Sequence, residues 1–511
     1  MSRGRHRPID RREVLDVTCR PNVLLITADQ FRFDAIAAHG NPHVRTPNLD
    51  RLLAEGVTFR RAYAESPVCV PARAGILTGQ LPHRNGITSN STPLADGTPT
   101  VVRSLAAAGY DTQAIGKMHF TPVRAGHGFD RLWLSEEIPA APEEDEYLTE
   151  LLASGTDHVV EPHGIRHELY YSPQPSQLPA HLHTTAWTGR RTREFLASRS
   201  PGGAPFFCWT SFIKPHPPFD PPYPYYLWYD PLDMPDPVRA DEELERLGYH
   251  IHNQHRVKWT HPELDLTRIR VMRAYYYACV SHVDAEIGRI LDQLDESGLR
   301  EDTLVIFTAD HGEYLGDHWA FGKRGYHDAA ARVPLVLSRP GTLPEGVATT
   351  TLAGLTDVAP TVLAATGAVP AGLDPDGHDL LPVAAGGQEG VRDVLFGQYH
   401  VGAEALYLAM NSRYKYTYSA ADDRESLYEV GSDETADLAG DGRYEAELTK
   451  LRDALLDRLA RDGYGRPLDG DGWRRFPPPG PRPSYHDRDV TGRGRQYPVW
   501  KDLDELRRDP V

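Results

Sequence analysis

The sequence predicts an α/β protein with a large, mostly parallel central sheet and a smaller C-terminal antiparallel subdomain. Short apolar runs recur along the chain with helical patterns between them, and such alternation is typical of parallel strands joined by helical crossovers. The first run, residues 21–27, has the unbroken apolar centre of a strand buried on both faces. Beyond about residue 385 the runs become short and are separated by turns, which favours antiparallel pairing.

Each element of this fold has its own sequence signal. Strand-like runs lie at residues 21–27, 112–115, 205–212, 303–308 and 333–338, and in the C-terminal part at 393–399, 405–410 and 414–418. Thr46 is expected to be the N-cap of a helix that begins at Pro47, and a last helix is predicted near residues 443–462. The longest helix is predicted over residues 270–297, with Gly298 as its stop and an apolar face of Val280, Val283, Ile287, Ile290, Leu291 and Leu294.

Changes in residue composition along the chain predict four segments. They are a basic N-terminal extension (residues 1–20), a main domain (21–385), a C-terminal α+β subdomain (386–464) and a tail rich in Pro, Gly and Arg (465–511). The tail is interpreted as an extended arm that could pack on a partner subunit, so a homo-oligomer is left open. Within the main domain, residues 214–231 are rich in Pro and aromatic residues and predict a loop at the rim.

The charge balance and the cysteines limit the classes of function. The chain has 511 residues and a net charge of −17, which argues against nonspecific binding to nucleic acid or to an anionic membrane. Its four cysteines, Cys19, Cys69, Cys208 and Cys279, predict no disulfide framework and fit a reducing compartment. Arg11-Arg12 resembles the start of a twin-arginine export signal, but no apolar h-region follows it. We therefore expect a cytoplasmic protein.

Cys69 is the candidate nucleophile. It lies two residues before Pro71, a residue suited to the first turn of a helix, so it is expected just ahead of a helix N-terminus. Free N–H groups and the helix dipole favour negative charge there, and Arg73 adds a fixed cation. A thiolate in such a place could attack a substrate. The alternative interpretation is a buried cysteine before an ordinary helix.

Two acidic residues mark a candidate metal site. Asp29-Gln30 follows the first strand, and Asp310-His311 follows the strand predicted at residues 303–308. Ligands of open α/β sheets bind at the carboxyl ends of the strands, so these side chains are expected to lie near one another. Two carboxylates, an amide oxygen and an imidazole suit a divalent ion such as Ca²⁺, Mg²⁺ or Mn²⁺. Alternatively, each aspartate merely caps the helix that follows it.

Four cationic groups follow strands or the second acidic motif. Lys117 and His119 come after the strand at 112–115, His216 comes after the strand at 205–212, and Lys323 lies beyond His311. Taken singly, each is an ordinary solvated or core side chain. Together, in an acidic protein, they predict a site for a tetrahedral oxyanion whose charge they would neutralise.

Residues 21–462 resemble the type I, formylglycine-dependent sulfatases of the alkaline-phosphatase-like superfamily. The family motifs occur in order: the strand ending in Asp29-Gln30, Thr46-Pro47-Asn48-Leu49-Asp50, Cys69-x-Pro71-x-Arg73 with Leu77-Thr78-Gly79, Gly116-Lys117-x-His119, and Asp310-His311-Gly312. Two departures are visible. Val70 replaces the small residue usual after the cysteine, and the Asp-Gln and Asp-His pairs resemble the phosphonate monoester hydrolase branch of the superfamily.

The resemblance implies an alkaline-phosphatase-like sandwich, a sulfuric ester hydrolase and a role for each candidate residue. A separate formylglycine-generating enzyme would convert Cys69 to formylglycine, whose hydrate is nucleophile and metal ligand together with Asp29, Gln30, Asp310 and His311. The ion is expected to be Ca²⁺, with Mn²⁺ or Mg²⁺ as alternatives. Arg73 would hold the diol, and His119 would be the base that breaks down the covalent intermediate. Lys117, His216 and Lys323 would bind the sulfuryl oxygens of a small sulfate ester, with His216 or Lys323 as proton donor and Asn90 in the site wall.

Two other functions remain open from the sequence. The same machinery could hydrolyse phosphonate monoesters or phosphodiesters, as the metal pairs suggest, whereas Lys117 and His119 match the sulfatase pattern. A non-catalytic oxyanion-binding relative is the third hypothesis. The intact Cys69, Pro71 and Arg73 argue against it, because such a protein has no need to keep a modification motif.

Overall fold

The computed structural model describes residues 20–139, 141–156, 158–159, 161–166, 171–258 and 265–480. Several features singled out in the sequence, namely Cys19, Arg11-Arg12 and the tail beyond residue 480, lie outside the described residues. Among the helices of these residues, none is both long and apolar enough to cross a membrane.

A nine-stranded, mostly parallel sheet forms the centre of the molecule. Its strands are β1 (Asn22–Ala28), β2 (Val57–Tyr63), β3 (Asp111–Gly116), β4 (Arg131–Leu134), β5 (Phe206–Phe212), β6 (Thr303–Ala309), β7 (Arg332–Val333), β8 (Leu335–Ser338) and β9 (Val347–Gly354). Their order is β4-β3-β5-β1-β6-β8-β2-β7, with β9 also paired to β2. The five strands from β4 to β6 are all parallel, whereas β8 and β7 run antiparallel to β2. This arrangement confirms the predicted α/β class.

The described residues form thirteen α-helices, five of which pack in two groups. In chain order they are α1 (Pro47–Ala54), α2 (Cys69–Thr78), α3 (Pro82–Asn85), α4 (Val101–Ala107), α5 (Glu146–Ala153), α6 (Thr184–Ala197), α7 (Asp241–Leu244), α8 (Tyr249–Lys258), α9 (Leu266–Glu296), α10 (Asp328–Ala331), α11 (Val358–Thr366), α12 (Leu381–Ala384) and α13 (Glu445–Arg461). Helices α1 and α6 pack on the long α9, while α2 and α4 pack on α11. The apolar face predicted for α9 is buried, and the helix ends just before Gly298, which has φ +66°.

A four-stranded antiparallel sheet lies in the C-terminal part, as predicted. It consists of β10 (Leu395–Tyr399), β11 (Leu406–Met410), β12 (Tyr414–Ser419) and β13 (Arg424–Glu429), and a two-stranded ribbon of β14 (Leu468–Asp469) and β15 (Gly472–Trp473) follows. One face, with Tyr407 and Tyr416, packs on α13, while the other, with Leu408, packs on Tyr63 of the main sheet. The segment boundaries at residues 385 and 464 stay predictions.

Some local expectations were wrong. Helix α2 begins at Cys69 itself, with Val68 as its N-cap, so the cysteine lies in the first turn and not ahead of it. Thr46 does occupy the N-cap of α1, but its hydroxyl accepts the N–H of Ala37 at 2.8 Å and makes no capping hydrogen bond. The strand predicted over residues 333–338 is broken at Pro334, which has no N–H to give to a ladder.

Gly116 ends β3 directly before Lys117 and is under two constraints. Its φ is +94°, and a Cβ there would lie 2.0 Å from the carbonyl oxygen of Ser211 on β5. We expect Gly116→Ala to destabilise the fold by at least about 2 kcal/mol, since strain and a backbone clash add. Thermal unfolding would measure the loss. Gly109→Ala is the matched control, because Gly109 has φ +85° but open space around it, and a loss equal to that of Gly116→Ala would contradict the clash.

Candidate functional site

The candidate site lies at the carboxyl ends of β1 and β6. These strands are parallel neighbours in which Ala28 is paired with Ala309, so the next residues, Asp29 and Asp310, emerge side by side. The N-terminus of α2 brings Cys69 against them, with its Sγ 3.3 Å from Nε2 of His311 and 4.0 Å from Oδ1 of Asp29. One ligand atom from each of these four residues lies within 4.8 Å of the others, and all four residues are buried.

This donor set fits a divalent cation. Nδ1 of His311 faces the carbonyl of Gly312 at 2.9 Å and must donate to it, so Nε2 is the ring nitrogen that faces Asp29 and Asp310 and that would hold a cation in the neutral form of the ring. Burial and repulsion by the neighbouring Asp29 charge raise the pKa of Asp310. A bound cation would relieve that repulsion. Gln30, held at φ +63°, presents its Oε1 at the same edge.

Cys69 lies in a strongly cationic environment. Nζ of Lys323 is 2.9 Å from Sγ, and the same ammonium donates to Oε1 of Gln30 at 2.9 Å. Burial and Asp29 would raise the pKa of the thiol, but Lys323, Lys117 and His311 outweigh them and hold it well below its usual value. In the unmodified chain these neighbours therefore stabilise a thiolate.

Arg73 is buried and donates hydrogen bonds to the carboxylates of Asp29 and Asp310. Its Nε donates to Asp310 at 3.1 Å and one terminal nitrogen to Asp29 at 3.4 Å. The other terminal nitrogen donates to the carbonyl of Lys117 at 2.6 Å and to Oγ of Ser211 at 2.9 Å. The guanidinium, one turn of α2 after Cys69, is thus bound to the acidic pair, to Ser211 of β5 and to Lys117, the residue that follows β3.

Three of the four predicted cationic residues, Lys117, His216 and Lys323, act on Asp29, and we call these three together with His119 the cation cluster. Nζ of Lys117 lies 2.5 Å from Oδ2 of Asp29. Burial would raise the pKa of Asp29, but Lys117, His216 and Lys323, followed by Arg73, lower it well below its ordinary value. The cluster therefore keeps this carboxylate ionised.

The two histidines of the cation cluster differ in their environments. Nδ1 of His216 must donate to the carbonyl of Pro217 at 2.7 Å, and burial lowers the pKa of His216 well below its usual value, so this ring is neutral near pH 7. His119 has φ +59°, and its Nδ1 is buried with no hydrogen-bond partner among the described residues. A buried nitrogen without a partner can accept or donate a hydrogen bond when a ligand reaches it.

Asn90 lies at the start of α2 and not against the acidic pair. Its Oδ1 accepts the N–H of Val70 at 3.0 Å, which satisfies one of the free donors of the first turn, and the residue is exposed. Its direct role in binding a substrate stays a prediction.

Sequence reasoning missed several polar residues of the site. Glu136 accepts the N–H groups of Met118 and His119 and so fixes the turn of the second motif. Glu313 accepts from Nε2 of Gln30, while Glu137 and Arg166 pair with each other beside the cation cluster. Glu136 and Glu137 follow β4 at the same sheet edge as the other motifs, but that strand has only four residues. Glu313 could have been found from its position two residues after His311.

Comparisons with known proteins agree on one family. The sulfatase family model matches residues 21–368. An arylsulfatase of Clostridium perfringens is 29% identical over 473 residues, covering 87% of this chain and 96% of that protein. The multifunctional alkaline phosphatase superfamily protein PehA of Trinickia caryophylli is 31% identical over 488 residues, covering 84% and 93%. The solved phosphonate monoester hydrolase of Agrobacterium radiobacter superposes with a TM-score of 0.75 at 28% identity, covering 89% of this chain and 100% of its own.

Proposed function

The chain belongs to the sulfatase family and is a sulfuric ester hydrolase, and on that basis we propose that it cleaves small sulfate esters with a formylglycine made from Cys69 and one divalent ion. The observation that carries the proposal is the convergence of Cys69, Asp29, Asp310 and His311 within 4.8 Å. The two carboxylates, His311, Oε1 of Gln30 and position 69 would hold the ion. When bound, the ion supplies Lewis-acid polarisation, and hydrated formylglycine supplies the attacking oxygen.

The residues around this centre would bind and stabilise the reacting group. Lys117 and His216 lie on the Asp29 side, where the ammonium of Lys117 would neutralise charge on the sulfuryl oxygens while the neutral ring of His216 would add none. Nζ of Lys323 lies 2.9 Å from Sγ of Cys69, whereas burial lowers the pKa of His216 well below its usual value, so we assign the proton for the leaving alcohol to Lys323. The unpartnered Nδ1 of His119 supports its assignment as the base of the second step.

Maturation and cofactor identity complete the proposal. A formylglycine-generating enzyme would act on the Cys69-x-Pro71-x-Arg73 segment before α2 is buried, since Cys69 is only 1% exposed in the fold. We propose Ca²⁺ as the ion because Asp29, Asp310 and Gln30 offer oxygen donors. The nitrogen of His311 is the feature that would favour Mn²⁺ instead.

A second candidate function is hydrolysis of phosphonate monoesters. The observation that favours it is the pair of dipeptides at the metal site, Asp29-Gln30 and Asp310-His311, together with the superposition on a phosphonate monoester hydrolase. Both reactions place a singly charged tetrahedral group on the same cations, so substrate comparison has to separate them.

We expect sulfate-ester hydrolysis to exceed phosphonate-ester hydrolysis. Lys117 and His119 match the sulfatase motif, and Lys117 lies 2.5 Å from Asp29. The measurement is kcat/KM of the modified enzyme for one aryl leaving group carried on sulfate and on a phosphonate monoester. A clear preference for the phosphonate would move the assignment to the second candidate.

Lys117→Ala is expected to lower kcat/KM for an aryl sulfate on the order of 10²-fold, because one good donor to developing charge is lost. Steady-state kinetics would measure the loss. The matched control is Lys450→Ala, the same change at an exposed position of α13. If both variants kept wild-type kcat/KM, Lys117 would have no part in binding the reacting group.

A further inference from the structure

Glu137 places a negative charge inside the cation cluster, and the proposed mechanism does not use it. Its Oε2 lies 2.6 Å from Nζ of Lys117. Its Oε1 pairs with the guanidinium of Arg166 and lies 3.5 Å from Nε2 of His216. The side chain is 10% exposed, so this carboxylate is almost fully removed from water.

The charge of Glu137 is maintained by its neighbours. Burial would raise the pKa of this carboxyl, but Arg166, His216 and Lys117 outweigh burial and hold it well below its usual value. Glu137 is therefore an anion throughout the neutral range.

This anion removes positive charge from the place where an oxyanion would bind. Lys117 is shared between Asp29 at 2.5 Å and Glu137 at 2.6 Å, so its charge is already balanced. Arg166 is engaged by the same carboxylate. An incoming ester therefore meets one unit less of positive charge than the cations alone would give, and each further negative charge on the ester is repelled by Glu137.

We propose that Glu137 is a specificity-determining residue that restricts the site to singly charged tetrahedral esters and rejects doubly charged ones. The inference rests on the proposed function, since it places the reacting group among these cations. A sulfate monoester and a phosphonate monoester each carry one negative charge, whereas a phosphate monoester carries about −1.5 to −2 near pH 7. The selection is thus against phosphate monoesters, and it holds for either candidate reaction.

The test compares two inhibitors of similar shape, sulfate with two negative charges and sulfamate with one. Their inhibition constants, or their protection against thermal unfolding, are measured with wild type and with Glu137→Gln. We expect the affinity for sulfate relative to sulfamate to rise on the order of tenfold in Glu137→Gln. The kcat/KM for 4-nitrophenyl phosphate relative to 4-nitrophenyl sulfate should rise in the same direction.

Matched variants isolate the charge. Glu137→Asp keeps the carboxylate and should retain the wild-type ratio, and Glu143→Gln makes the same change at an exposed position nearby and should leave the ratio unaltered. Arg166→Gln removes an opposing cation and should shift the ratio the other way, which keeps the test valid if Glu137→Gln does not fold.

Two outcomes would overturn the proposal. One is an unchanged sulfate-to-sulfamate ratio in folded Glu137→Gln, or in Arg166→Gln if only that variant folds. The other is an equal loss of turnover on both aryl esters with no change in their ratio, which would make Glu137 a positioning residue. If the wild type hydrolysed no sulfate ester, the proposed function would fail, yet the inhibitor ratio would still decide the role of Glu137.

Discussion

Replacing Cys69 by alanine is expected to abolish turnover, with a loss on the order of 10⁴-fold or more, because alanine cannot be converted to the formylglycine whose hydrate supplies the attacking oxygen. Sγ of Cys69 lies 3.3 Å from Nε2 of His311 and 2.9 Å from Nζ of Lys323, so the lost atom is at the centre of the site. Aryl sulfate hydrolysis by protein made with and without a formylglycine-generating enzyme would measure the effect.

Cys279→Ala is the matched control for this experiment. Cys279 is a buried, free cysteine of α9, and burial raises the pKa of its thiol, as expected for an inert core side chain. It should keep turnover. Mass spectrometry of the peptide that contains residue 69 should show the aldehyde or its hydrate in the active wild type. Wild-type activity in Cys69→Ala, or full activity with an unmodified cysteine, would show that the nucleophile is wrongly assigned.

The centre of the site was predictable because it follows from strand order. Asp29 and Asp310 each end an apolar strand, and parallel neighbours deliver their next residues to one edge of the sheet. Cys69 could be added because the proline two residues later places it at the start of a helix. The sequence pattern therefore predicted which residues meet, while their proposed roles await the experiments above.

The outer part of the site was not predictable in the same way. Glu137 follows β4, which has only four residues and begins with a charged one, so its apolar run is too short to predict a strand. Arg166 lies in a loop, where no periodic pattern indicates which way a side chain points. It pairs with Glu137 because the tertiary fold brings the two residues together. Such contacts depend on how segments distant in sequence pack together, so they cannot be predicted from residue composition or from motif spacing.

The same limit applies to the fold. Strand β2 was missed because Arg60 and Arg61 interrupt its apolar run, yet β2 is the strand on which β7, β8 and β9 all pair. In the C-terminal sheet, the short strand-like run that predicted β12 did not indicate where the side chain of Lys415 lies. Its ammonium is buried against the main sheet and neutralised by Asp328 at 2.6 Å and Glu434 at 2.5 Å. Whether a charged side chain can be buried in the protein interior depends on such ion-pair partners, which are brought close by the fold.

Asp310→Ala is expected to remove both the bound divalent ion and turnover. Oδ1 of Asp310 accepts the N–H groups of Gln30 and His311 at 3.0 Å each, so its loss takes away one ligand and loosens two others. We expect turnover to fall by at least on the order of 10³-fold, more than for the loss of one good donor alone. Metal analysis of the purified protein, with aryl sulfate kinetics on the same sample, measures both effects and identifies the ion.

Two further variants decide whether a loss in Asp310→Ala reflects the metal or the fold. Asp310→Asn keeps the shape and one oxygen but removes the charge that opposes Arg73, so thermal unfolding of both variants reports the cost of that buried guanidinium. Asp302→Ala makes the same change as Asp310→Ala just before the opposite end of β6 and should keep ion and activity. Full metal occupancy in a folded Asp310→Ala protein would contradict the assignment of this carboxylate as a ligand.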